Sequence, residues 1–135
     1  MTSEIFTILR QNIVDEIRGQ ILSCGFTEEQ VEAFYKSMHP FVIGYVFGYV
    51  IGRRTYLEAV SGKPLGDENS DDLFEQVVIE LFGENQGKRI VGSLKPMMMD
   101  YRWPEGVMAA AHDTLELEGN ENPSGLCTFL KSDDD

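Results

Sequence analysis

Glycine recurs at every fourth position through the most apolar stretch of this chain. The segment reads Phe41-Val42-Ile43-Gly44, Tyr45-Val46-Phe47-Gly48, Tyr49-Val50-Ile51-Gly52, three near-copies of one unit set end to end. On an α-helix, four residues overshoot a turn by about 40°, so Gly44, Gly48 and Gly52 fall within an arc of roughly 80°. They leave a shallow groove, bare of side chains, along which another backbone can approach closely. The spacing therefore predicts a central helix over residues 40–61 that neighbouring helices surround.

A strand and a membrane span are the competing readings. Val, Ile, Phe and Tyr favour strands, but residues 41–52 are long for one and few other segments offer pairing partners. An unpaired buried strand would leave its backbone donors and acceptors unsatisfied. Arg53 to Val60 also continues a helical pattern. For a span, the uncharged run from His39 to Gly52 is too short, since about 20 residues are needed. The expected fold is all-α, a compact bundle of about five or six helices around residues 40–61.

The flanking sequence supplies the other helices. Leu9, Ile13, Ile17 and Ile21 place an apolar stripe on residues 3–24, with Phe6 and Cys24 in phase. Thr27-Glu28-Glu29-Gln30 fits a capping box, and Phe26 with Val31 occupies the hydrophobic-staple positions. Pro40 suits the first turn of the central helix. Leu73, Phe74, Val77, Val78, Leu81 and Phe82 give the next helix a wide apolar face. Residues 86–95 read as a helix that Pro96 interrupts, with Met97, Met98 and Met99 filling core gaps. Pro104 opens a last long helix over 104–117, turning Val107, Met108, Ala111 and Leu115 inward. One domain over residues 1–130 and a solvated acidic tail at 131–135 complete the organisation.

Composition narrows the function. With 42% hydrophobic and 25% charged residues in 135, the chain reads as folded. MTSEIFTILRQN has no basic region ahead of a compact apolar stretch, so a secretory signal is not expected; Cys24 and Cys127 are expected as reduced thiols in the cytoplasm. Twenty-three acids against eleven Lys and Arg give a net charge of −12, which argues against direct nucleic-acid binding by phosphate neutralisation. The acids cluster: seven of them, from Asp67 to Glu84, lie between Lys63 and Lys88 with no base among them. A basic protein partner would be steered to such a face. On the helical wheel Ile79 falls among Asp72, Glu75 and Glu80, opposite the apolar face, as an anchor inside an acidic contact surface. Asp71, Asp72, Glu75, Ile79 and Glu80 are the candidate partner-binding residues.

Catalytic and metal chemistry finds little support. His112-Asp113 occurs as a pair in metal-dependent phosphohydrolases, with His39 and Asp133 available as further ligands, but only a short loop-rich tail follows to hold the last one. Asp67-Glu68-Asn69-Ser70-Asp71 begins like a calcium loop, yet Asp72 stands where glycine is required and Val78 where glutamate is. Two Cys and two His show no zinc spacing, and residues 83–89 lack the phosphate-loop spacing. No cofactor, metal or catalytic residue is assigned. The leading expectation is a small acidic interaction module that binds and inhibits or shields a basic protein. The alternative is a helical ligand-binding or sensory domain with a pocket lined by Tyr45, Tyr49, Met97, Met98 or Trp103; a metal-dependent hydrolase using His112 and Asp113 is weaker. The face of Gly44, Gly48 and Gly52 is expected to receive a helix of the same chain or of a second copy in a homodimer.

Overall fold

A computed structural model describes residues 2–23, 25–36, 39–62 and 70–118. Among them are seven helices and no strand: α1 (Thr2–Ser23), α2 (Glu28–Lys36), α3 (Pro40–Ser61), α4 (Ser70–Phe82), α5 (Glu84–Gly92), α6 (Leu94–Met98) and α7 (Arg102–Glu118). The all-α bundle is as the periodicity predicts. The extra element is α6: Ser93 breaks the run after α5, and Pro96 sits in a single helical turn, where its missing N–H is tolerated. Cys24, Cys127, the residues 63–69 that contain most of the calcium-like run, and the tail at 131–135 lie outside the described residues.

Local signals set the helix ends. Thr27 Oγ1 accepts from Gln30 N–H at 3.2 Å while Gln30 Oε1 accepts from Thr27 N–H at 2.9 Å, the reciprocal capping box at the start of α2. Phe26 and Val31 both pack against the core beside it. Pro40 opens α3 behind His39, whose Nδ1 accepts from Phe41 N–H at 3.1 Å. Gly62 closes α3 with φ 70° and its N–H bonded to Glu58 C=O, a left-handed cap that a side chain would strain.

α3 is the axis of the molecule. Val42, Ile43, Tyr45, Val46, Tyr49 and Val50 are all fully buried, or within 1% of it. Each removes about 1.5–3 kcal/mol worth of side chain from water, which is why an apolar helix is stable only at the centre. α1 lays Ile13, Ile17 and Ile21 against this core, and α4 adds Leu73, Phe74, Val77 and Val78.

The glycine groove of α3 is filled by α7. A Cβ on Gly44 would sit 2.5 Å from Trp103 C=O, and one on Gly48 2.7 Å from Val107 C=O. At Gly52 it would collide with the Thr114 side chain, and a Cβ on Gly106 of α7 would collide with Phe41 C=O. The contacts climb together, 44 with 103 and 52 with 114, so α3 and α7 run in the same direction. Two helices so oriented need a crossover, which α4, α5 and α6 provide.

This contact corrects the expected inner face of α7 in part: Val107 packs against the core as expected, and the Leu115 side chain lies outside the described set. Trp103, Ala110 and Asp113 are buried, whereas Met108 is 71% exposed and Ala111 is exposed. A bare helix admits close approach, so Gly106 and Ala110 meet α3 beside the backbone of Trp103 and Val107, while Met108, about 200° round the helix from both Gly106 and Ala110, faces away. Met97 does fill the core, but Met98 and Met99 are exposed, because α6 ends there and turns into α7.

Candidate functional site

The acids singled out from sequence lie on α4. Asp72, Glu75 and Glu80 are exposed. Asp71 belongs to the first turn of the same helix, and its side chain lies outside the described set. Ile79 is not the open anchor expected. Gly83 turns the chain (φ 89°), α5 folds back over α4, and a Cβ on Gly87 would lie 2.8 Å from Ile79 Cα. Most of Ile79 is thereby covered. The acidic face is also interrupted toward α1, where Arg10 donates to Gln76 at 3.2 Å and Arg18 donates to Glu80 C=O at 2.8 Å.

The uninterrupted part of that face borders a cleft of about 300 Å³ between α4, α5 and α6. Phe47, Phe74 and Trp103 form its floor, Val91, Leu94 and Met98 its walls, and Glu75 stands at its edge. The floor rings touch one another: Phe47 meets Phe74 edge-on at 5.3 Å and lies 5.5 Å from Trp103. Beyond it, Met98, Met99 and Tyr101 are 50%, 89% and 74% exposed. Asp72 is one turn from Glu75 on the same helix, so the two carboxylates are surface neighbours. Trp103 and Met98 were expected as pocket residues; Phe47, Phe74 and Leu94 were not, because their convergence depends on the crossover.

Tyr45 and Tyr49 are fully buried and do not line this cleft. The Tyr45 hydroxyl donates to Asp113 Oδ2 at 2.5 Å and accepts from Gln20 Nε2 at 2.9 Å. The Tyr49 hydroxyl donates to Glu16 Oε1 at 2.7 Å, and Arg53 Nη2 reaches Glu16 Oε2 at 3.2 Å. These two chains of hydrogen bonds tie α1 and α7 to α3. Burial, reinforced by the acceptor carboxylates, pushes both phenols far above their ordinary value.

His112 and Asp113 lie in different surroundings. His112 is largely exposed while Asp113 is buried and engaged by Tyr45. His39 is at the other end of the helix pair, beside Arg102 at 3.1 Å, about 15 Å along the axis from His112 at 1.5 Å per residue. Asp133 lies outside the described residues, and among those described no three His, Cys, Asp or Glu could share a metal ion. No helix among them is long and apolar enough to cross a membrane.

At Gly44, Gly48 and Gly52 the glycine face receives α7 of the same chain. No protein-family profile, curated protein or solved structure matches the chain.

Proposed function

We propose that this protein is an interaction module that binds a basic, amphipathic segment of another protein in the cleft between α4, α5 and α6. The observation that carries this reading is an aromatic floor with a methionine wall and a carboxylate at its edge. Apolar side chains of a partner helix would fill the cleft, and its Lys or Arg would meet Glu75 and Asp72. Methionine suits such a surface because its flexible thioether adapts to varied side chains. The net charge of −12 would speed encounter with a cationic partner. Restraint or shielding of that partner follows from covering its basic surface.

Trp103 is the chain's one tryptophan and lines the cleft, so binding there is read directly from its emission. Titration with a synthetic Leu/Lys amphipathic peptide should shift Trp103 fluorescence, and the affinity should fall as salt rises. Replacing Asp72 and Glu75 together by Asn and Gln should weaken binding about three- to tenfold, as expected for two charges at an interface rim. Binding that leaves Trp103 unperturbed, or that is indifferent to neutralising Asp71, Asp72, Glu75 and Glu80, would overturn the proposal.

A further inference from the structure

Three methionines follow one another at the end of α6, and the fold deals each to a different environment. Consecutive side chains of a helix leave its axis about 100° apart, so they cannot share a face. Met97 is 6% exposed and fills the core. Met98, the last residue of α6, lines the cleft together with Trp103 and is 50% exposed. Met99 caps the helix outside the cleft and is 89% exposed. One residue type thus occupies a shielded, a binding and an open position within a single turn.

We propose that Met98 is an oxidation site through which a peroxide weakens the hold of the cleft on its partner. This rests on the reading of the cleft as a docking groove for an amphipathic segment. The thioether sulfur attacks one oxygen of hydrogen peroxide, an S–O bond forms and the O–O bond breaks. The proton of the attacked oxygen passes to the departing hydroxide, which leaves as water. Sulfur is oxidised, the peroxide is reduced, and no further reactant is needed. The sulfoxide replaces an adaptable apolar wall by a polar, chiral one. Its oxygen then stands against the apolar side chains of a docked segment, where water no longer pairs it. Half-exposure supplies both halves of the device. The sulfur is open to a small oxidant in the free protein, and it lies where a docked segment covers it. Sulfoxide reductases return the thioether, so the change is reversible.

The probes are hydrogen peroxide and the Leu/Lys peptide, which carries no sulfur. Peptide mapping by mass spectrometry should find an added oxygen on Met98 and Met99 well before Met97. Saturating peptide should slow the reaction at Met98 and leave Met108, exposed on α7, unprotected. Calorimetry should show the affinity reduced roughly tenfold by oxidation, the scale set by an unpaired polar group in an apolar contact. Met98→Leu keeps size and apolarity and should hold its affinity through the same treatment, which separates Met98 from Cys24, Cys127 and the other methionines. Met98→Gln should reproduce the loss without peroxide, and Met99→Gln should not. Equal oxidation of Met97 and Met98, or an equal loss of affinity in the wild type and Met98→Leu, would overturn the inference. Peptide that fails to bind the untreated protein sinks the reading of the cleft instead. Trp103 emission then decides the oxidation site by itself, since the sulfoxide shares its cleft and should shift it in the wild type but not in Met98→Leu. Emission that peroxide leaves unmoved would overturn the site as well.

Discussion

At the residue scale, the buried polar chains are the most exacting feature. Asp113 is 4% exposed, and the Tyr45 hydroxyl donates to its carboxylate. Tyr45→Phe removes that donor and the hydrogen bond from Gln20 Nε2, so it should lower stability by about 1–3 kcal/mol, measured by urea unfolding. The same burial gives a pH signature. Both phenols have folded pKa values raised above the ordinary 10.0. Their contribution is therefore intact below that value and is lost as pH rises above it, because only the unfolded chain releases the protons. The slope should approach about 2.7 kcal/mol per pH unit for two groups. Spectrophotometric titration should find two of the chain's five tyrosines silent until the protein unfolds. Tyr45 and Tyr49 were legible in the sequence as aromatic residues at helical spacing. Their hydroxyl partners were not, since Glu16, Gln20 and Asp113 come from two other helices.

At the scale of elements, α3 against α7 is the contact that the glycine spacing foretold. Gly48→Ala would press a methyl within 2.8 Å of Val107 Cα, where backbone must yield. Overpacking of about 1–3 kcal/mol outweighs the gain of about 0.5–1 kcal/mol in helix propensity, so the variant should be less stable. Gly19→Ala is the control, because nothing lies within 4 Å of that position in α1, and it should stabilise by up to about 1 kcal/mol. Thermal unfolding of the pair checks both signs. The start of α7 adds an acid-sensitive clasp. Arg102 grips Asp100 through Nε and Nη2, each at 2.9 Å, and holds that carboxyl down at about 2. Its contribution is present above the ordinary 3.8 and is lost as pH falls through about 2. Asp100→Asn should flatten the stability profile across that interval. Helix ends were legible wherever one residue dictates them, as Thr27, Pro40 and Gly62 do. The inner face of α7 was not. Met108 and Ala111 are as apolar as Ala110, and only the line along which α7 meets the glycine face of α3 decides which of them is buried. Ile79 was misplaced for a related reason: its cover depends on the fold-back at Gly83, not on its own helix.

For the molecule as a whole, self-repulsion from the charge of −12 is spread over a small surface. Raising ionic strength to about 0.15 M should lift the melting temperature by a few degrees, in contrast to a protein held together by surface ion pairs. The candidate cleft is likewise a property of the whole. Its acids were legible from charge clustering, but its floor joins α3, α4 and α7, which only the crossover brings together. The shared direction of α3 and α7 reaches further, into synthesis on the ribosome. The segment that must cover Gly44, Gly48 and Gly52 is translated about 60 residues later, so at typical elongation rates the nascent helix waits roughly 3–12 s with that flank uncovered. Nascent chains stalled before Arg102 should therefore be the form of this protein that chaperones hold most tightly.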